Sequence, residues 1–275
     1  MSNQKTNQDY FNMNSKLYKK CKSHEEKFMM FASHLLKQFK IKIGDTTCSI
    51  EEVEVYYHSQ DHKDKYTHRS SNQLKNATWY FHQFPNGSYK GGTFKGLDIT
   101  FGNEKDIHAG MLIRSIMNVD TNEFFMGPCN SINYIIKQSG TDSIIDLVGS
   151  MQNLNVLNDK NAFHLELSDT VDNEQIFTGP RVGLSHKFPE YLIKGYRYMK
   201  TPKKIPKCRT SMVSALYVSG KNANEISSVM NLPLNSVKKS ITEFDDAENL
   251  DEDEVKQMNP SSKMNAIYGY YAKHL

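Results

Sequence analysis

Between Ser15 and Lys40, apolar side chains recur at helical spacing: Leu17, Phe28, Met29, Phe31, Ala32, Leu35, Leu36 and Phe39. That period predicts an amphipathic helix. Its other face carries Lys19, Lys20, Lys22, Lys27 and Lys37, read either as a solvated surface or as one turned toward phosphates. From Ile41 to about Lys200 the pattern changes to short runs punctuated by Gly, Asn, Asp and Pro, which reads as strands. "IEEVEVYY" (50–57) alternates in part, "ATWYFHQF" (77–84) is aromatic, and "PNGSYKGG" (85–92) reads as a hairpin tip. "FKGLDITFG" (94–102) and "AGMLIRSIM" (109–117) are expected to pair in the core. "NSINYIIKQ" (130–138) and "DSIIDLVGSM" (142–151) suit short helices. The fold class is therefore α+β: a single curved antiparallel β-sheet domain with surrounding helices over residues 15–205, behind a loose polar start, 1–14.

After "TPKKIPK" the pattern becomes helical again, with three short helices expected in 206–245. The middle one opens on a capping box, Asn222 and Glu225, and the third on Asn235 or Ser236. The spacing of Leu216, Ile226, Val229, Leu232, Val237 and Ile241 resembles the core of a helix-turn-helix. Residues 246–275 then read as an acidic linker and an aromatic tail. The acids run through Asp245, Asp246, Glu248 and Asp251 to Glu254, expected as a solvated loop, and the tail is "YGYYAKHL".

Composition adds limits. A net charge of +3 says nothing by itself about nucleic acid, so the distribution of charge must be read instead. Cys21, Cys48, Cys129 and Cys208 are scattered and form no CxxC pair, which fits a reducing compartment without a zinc ribbon or disulfide framework. No apolar run is long enough for a membrane span and no secretory signal opens the chain. A cytoplasmic protein is expected, with the nucleoid or nucleus as the site of action if DNA is the partner.

The stretch "IEEVEVYYHSQDHKDKYTHR" (50–69) poses the chemical question. On a regular strand Glu52, Glu54 and Tyr56 share one face, while Glu51, Val53, Val55 and Tyr57 share the other. An acid-acid-aromatic row either faces solvent or lines a cavity. His58, His62 and His68 offer a third possibility, a zinc site, but no cysteine or glutamate completes a tight ligand cluster.

The blocks "VEVYY", "THR" (67–69), "TWYFH" (78–82), "GGTFKGLDITFG", "AGMLIRSIM", "GPCNSINYI" (127–135) and "TGPRVGLSHKFPEYLIKGYRY" (178–198) follow one another in that order. Together they resemble the alkyladenine (3-methyladenine) DNA glycosylase family, over about residues 45–200, as a divergent member. The resemblance implies one domain around a curved antiparallel sheet, with a hairpin that enters the minor groove. Such enzymes extrude a base from the duplex, at a cost of a few kcal/mol in unstacking, and hydrolyse its glycosidic bond. By the same resemblance Glu54 is the catalytic carboxylate that activates water at C1′, with Glu51 and Glu52 as neighbours if the register shifts. Tyr56 stacks on the flipped base, His68 contacts the base or its sugar-phosphate, and His82 supplies a second stacking ring, with Tyr80 and Phe81 beside it. Arg114 and Arg181 are expected at the DNA.

The sequence departs from the family in two places. Gly91 stands where an intercalating tyrosine is expected, which leaves Tyr89 or Lys90 as the wedge, and Asp98 replaces a pocket asparagine. An ionised Asp accepts hydrogen bonds only, so it would favour a base presenting donors or a cationic alkylated base; otherwise it caps a turn. No lysine stands at position 54 to form a Schiff base. The expected enzyme is thus a monofunctional glycosylase that uses water alone, with no metal and no organic cofactor, and works as a monomer on double-stranded DNA carrying a modified base. Its substrate is either an alkylated purine or a bulky, hypermodified base such as a modified cytosine of phage DNA. Lys238 and Lys239, early in the third C-terminal helix, would add salt-dependent phosphate contacts. Two rivals stand beside this reading: a non-catalytic DNA-binding regulator built on the helix-turn-helix, and a zinc hydrolase using the three histidines.

Overall fold

Ser23 sets the first long element. Its side chain accepts from the Glu26 N–H at 3.1 Å and starts helix α1, His24–Gln38, an N-cap of the kind that satisfies an otherwise orphaned donor. The helix expected over Ser15–Lys40 is therefore shorter. Lys16–Tyr18 is a separate 3-10 turn, and from Phe39 the alternation of Phe39, Ile41 and Ile43 with two lysines imposes period two. In this computed structural model, residues 7–206 and 209–275 are described, and they divide into two compact units, Met1–Gln175 and Ile176–Leu275.

The first unit is built on β1 Phe39–Ile43, β2 Thr46–His58, β3 Asn76–Phe81, β4 Leu97–Phe101, β5 His108–Asn118, β6 Phe124–Met126 and β7 Phe163–Leu167. The strands run antiparallel in the order β3-β4-β5-β2-β1-β7, with β6 added to β5. The sheet curves until its outer strands meet. Trp79 on β3 stacks on Phe163 of β7 at 4.4 Å. Between them, residues 154–156 bond to β3 through Trp79 N–H to Leu154 O and Val156 N–H to Ala77 O, and to β7 through Leu165 N–H to Val156 O. One face receives α1: Tyr57 lies against Phe28 and Phe101, and Phe31 against Phe101. Helices α2, Pro128–Gln138, and α3, Ile144–Ser150, follow β6. The start of the chain is not loose where it is described, because Tyr10 and Phe11 are buried and Tyr10 meets Phe39 edge-on; residues 1–6 lie outside the described residues.

The second unit pairs β8 Phe177–Gly179 with β9 Arg197–Met199, with α4 Pro189–Leu192 between them. Helices α5 Arg209–Val218, α6 Ala223–Met230, α7 Leu234–Asp246, α8 Glu252–Gln257 and α9 Pro260–His274 complete it. The break expected near residue 205 falls instead after Gln175, because β8 packs on the helices: a Cβ on Gly179 would stand 2.2 Å from Met212 Sδ. The Asn222–Glu225 capping box is present. The third helix begins at Leu234, directly after Pro233 and ahead of Asn235 and Ser236. The acidic run is helical rather than a loop. Asp251 caps α8 by accepting from Asp253 N–H at 2.8 Å, and acids in a first turn face the positive end of the helix dipole. The aromatic tail is α9, which buries Ile267, Tyr268, Tyr270 and Tyr271. Cys208 lies outside the described residues, and the other three cysteines are free thiols. No helix among the described residues is long and apolar enough to cross a membrane.

Gly269 marks where α9 crosses α7: a Cβ there would sit 2.1 Å from the Phe244 carbonyl oxygen. Backbone cannot yield as a flexible side chain does, so Gly269→Ala should cost about 1–3 kcal/mol in urea unfolding, the range for overpacking a closed core. Gly149, exposed in α3 with nothing within 4 Å of its Cβ position, is the control. There the Ala variant should gain up to about 1 kcal/mol from helix propensity.

Candidate functional site

Four strands meet in register at one row of side chains. Asp98 pairs with Tyr80 on one side and Leu112 on the other, and Leu112 pairs with Glu54. Directly paired residues share a face, so Tyr80, Asp98, Leu112 and Glu54 form a line across β3, β4, β5 and β2. The next line is Thr100, Gly110 and Tyr56. Arg114 joins the same face two residues along β5. This is the face opposite α1.

The three glutamates of β2 are not solvated: Glu51, Glu52 and Glu54 are 2%, 1% and 0% exposed. Glu54 Oε1 lies 3.3 Å from Arg114 Nη1, and its Oε2 accepts from the Tyr56 hydroxyl at 3.0 Å. Glu52 Oε1 lies 3.0 Å from Arg114 Nε, and its Oε2 accepts from the Ser115 hydroxyl at 2.5 Å. Consecutive residues of a regular strand point to opposite faces. One carboxylate reaches both Arg114 and Ser115 because register shifts interrupt β2 and β5 between Ile50 and Val53. Burial disfavours the Arg114 charge, but Glu54 and then Glu52 outweigh it and hold its pKa above the ordinary arginine value. Arg114 is thus a buried bridge between carboxylates, and the expected contact with the DNA backbone is corrected by its 5% exposure. The same holds for Arg181 in the second unit. It is 1% exposed, donates to Tyr191 O at 3.2 Å and sits 5.5 Å over the Tyr196 ring.

Asp98 also differs from expectation. It is 1% exposed, and both oxygens accept from within the protein: Oδ1 from His82 Nε2 at 2.8 Å, Oδ2 from Gln73 Nε2 at 3.2 Å. It orients side chains rather than facing a ligand. Two glycines make room for the pair. A Cβ on Gly110 would stand 2.4 Å from Asp98 Oδ2, and one on Gly96 would stand 2.2 Å from His82 Nδ1. With Gly96 against its ring, His82 cannot stack on a base from that side, which corrects its role as a second stacking ring. Its ring instead meets His68 edge-on at 4.5 Å.

His68 and Tyr80 form the wall of a cavity of about 850 Å³, lined further by Ser70, Asn72, Gln83 and Lys90, with Phe84 and Phe94 at its rim. The Tyr80 hydroxyl lies 3.4 Å from His68 Nδ1. Burial by the surrounding protein, then the neighbouring His82 ring and the Lys90 charge, lower the His68 pKa to about 4 against the opposing pull of Asp98, even though the ring opens to the cavity. Glu54 and Tyr56 are not among the lining residues; the row through Leu112 and Asp98 connects them to it.

The expected wedge residues divide. Tyr89 is half-buried, edge-on to Phe81 at 6.2 Å, and so is not free to enter a duplex, whereas Lys90 lines the cavity. Sequence reasoning passed over Phe94, 73% exposed, and Phe84, 48% exposed. It also passed over Gln73, whose Oε1 accepts from Ser70 N–H while its amide nitrogen holds Asp98. The capping pattern Ser70–Gln73 was the available signal. Lys238 and Lys239 are exposed on α7.

The zinc alternative lacks a ligand group. His62 lies on the α1 side against Phe28 and Tyr57, while His68 faces His82 on the other side. Among the described residues no three His, Cys, Asp or Glu side chains are placed to hold a metal.

No family model matches the chain. It is similar to a protein of Acanthamoeba polyphaga mimivirus, "Uncharacterized protein L759", with 32% identity over 219 residues that cover 75% of this chain and 96% of the viral one.

Two outcomes follow from the site. Arg114→Met removes the cation from between two buried carboxylates and should cost about 3–5 kcal/mol at neutral pH. For His68, folded pKa below unfolded pKa means that the unfolded chain takes up the proton first. Its contribution to stability is therefore present above 6.5 and lost as pH falls toward 4. An NMR titration should place the His68 midpoint well below 6.5, and Lys90→Met should raise it.

Proposed function

For this chain, which belongs to the same family as the mimivirus protein L759, we propose the activity of a monofunctional DNA glycosylase carried by the first unit. The observation that supports it best is the row on one sheet face. An ionisable carboxylate, Glu54, sits beside the ring of Tyr56 and in register with Tyr80, which walls a cavity. In this reading the cavity receives an extruded nucleobase against His68 and Tyr80. Glu54 offers negative charge to the oxocarbenium-like sugar as the C1′–N bond breaks and takes a proton from the water that attacks C1′. The base leaves with the bonding pair and is protonated by solvent. Arg114 Nη1, 3.3 Å from Glu54 Oε1, holds that carboxylate in place. The Tyr56 hydroxyl, which now caps Glu54 Oε2, is the group a water must replace, so Tyr56 turns as the base enters.

At the rim, Phe94 takes the wedge role that the sequence left to Tyr89 or Lys90. Its 3-10 turn, Gly92–Phe94, is tethered on both sides: Cys129 Sγ donates to Gly92 O at 3.0 Å, and Lys95 Nζ donates to Asn133 Oδ1 at 2.7 Å. A held, exposed ring suits insertion between bases. Since Asp98 is committed internally, its acceptor chemistry does not select the base. Of the two substrate classes, a cavity of about 850 Å³ walled by Ser70, Asn72 and Gln83 favours a base with a bulky polar substituent.

A second reading has its own support. Glu54 is fully buried, bonded to Arg114 and Tyr56, and outside the cavity lining, as in a purely structural ion network within a non-catalytic DNA-binding protein.

One assay separates the two. Duplexes carrying a single modified base, incubated with protein and heated in alkali, should be cut at that base. Glu54→Gln should slow the single-turnover rate by about 10²–10⁴-fold, the usual weight of a general base, with duplex affinity retained. Equal cleavage by Glu54→Gln, or no abasic product from any base with binding intact in Glu54→Ala, points to the second reading.

A further inference from the structure

In the second unit, α6 and α7 are joined by three residues, Asn231, Leu232 and Pro233, with Asn231 in the left-handed conformation (φ 50°, ψ 53°). This is the connection a helix-turn-helix uses. Val237 and Phe244 on α7, with Ile226 and Met230 on α6, are buried, so α7 keeps one face in the core. Its opposite face carries Asn235, Lys238, Lys239 and Thr242, all exposed. Their spacing of i, i+3, i+4 and i+7 makes them a single stripe.

The stripe carries hydrogen-bonding and positively charged groups together. It offers an amide, two ammonium groups and a hydroxyl in sequence, with Glu243 and Asp245 on its flanks toward the far end and Asp246 next in line. Amides pair with adenine edges, lysines with guanine edges or phosphates, and hydroxyls with either kind of base. The acids near the far end of α7 are tied elsewhere: Asp245 Oδ2 accepts from the Tyr217 hydroxyl at 3.2 Å, Glu243 Oε2 accepts from Asn265 Nδ2 at 3.2 Å, and Glu248 Oε2 accepts from Lys273 Nζ at 3.1 Å. Charge therefore grades along the helix, positive at its N-terminal half and negative at its end. A polyanion that follows this gradient meets the N-terminal half, the end by which recognition helices enter the major groove.

We propose that α7 is a recognition helix that reads duplex DNA sequence in the major groove. Asn235 and Thr242 contact base edges, and Lys238 and Lys239 contact phosphates or guanine. This is an activity separate from base excision, and it does not depend on the glycosylase reading.

The test uses the full chain and a library of random duplexes, followed by anisotropy titrations across a salt series. An enriched motif should bind at least about tenfold more tightly than a scrambled duplex. Asn235→Ala should flatten preference at one position by on the order of tenfold while leaving the scrambled duplex unaffected. Replacing both lysines with Gln should reduce the slope of log K against log salt by about 2, near 0.9 for each phosphate that is no longer neutralised. Because these four side chains are exposed, their variants should unfold at the wild-type urea midpoint. Glu54→Gln should keep the motif, so a failure of the excision chemistry and a failure of this proposal remain distinct. Absence of any motif, a motif unchanged in both Asn235→Ala and Thr242→Ala, or stronger competition by a hairpin RNA than by the best duplex would overturn it.

Discussion

Arg114 is the constraint on which the first unit turns. Isolated carboxylates and guanidinium groups cost several kcal/mol each to bury, yet Glu52, Glu54 and Arg114 all lie within the protein on the central strands β2 and β5. They are tolerable there only together. The register shifts between Ile50 and Val53 let one carboxylate meet both Arg114 and Ser115, so the backbone irregularity and the ion network require each other. A regular ladder would direct Arg114 and Ser115 to opposite faces.

The same face holds a second buried acid with a different set of partners. Asp98 is bound by a ring nitrogen and an amide instead of by a guanidinium, and glycines at 96 and 110 clear the space around the pair. Glu54 stands next to a permanent cation, 3.3 Å from Arg114 Nη1. Asp98 stands next to groups that fix direction, which supports alignment of His82 and, through the ring contact, of His68. Two acids at the same depth thus have different environments, and the division of labour in the proposed chemistry, one acid for the water and one for the wall, follows from that difference.

How much of this was legible varies by kind of signal. Periodicity located β2 to β5 and helices α1 to α3 and α5 to α7, because period two and period 3.6 reflect which face is buried; β1, β6 to β9 and α9 were not singled out. It misplaced the start of α7 and missed α8, where a proline and a capping aspartate, rather than apolar spacing, set the ends. The site residues on β2 were visible as an odd acidic run on a strand. Their burial was not, since an exposed and a buried glutamate look alike until the partner strand supplies Arg114, sixty residues away in sequence. In the sequence Asp98 is open to two roles, a ligand-facing acceptor or a turn cap, because Gln73 and His82 join it only through the tertiary fold. Phe94 escaped notice because exposure of an aromatic has no signature in sequence.

Full burial of Glu54 bears on mechanism as well as stability. A carboxylate that solvent cannot reach is shielded from screening, so its interaction with Arg114 is strong, and it must still be uncovered for water to be activated. In the proposed chemistry the event that uncovers it is the same one that brings substrate. The Tyr56 side chain turns away, and the hydroxyl that occupied Glu54 Oε2 gives way to the attacking water. Binding energy from the base and the rim would then be spent on breaking one internal hydrogen bond, which links hydrolysis to the presence of an extruded base.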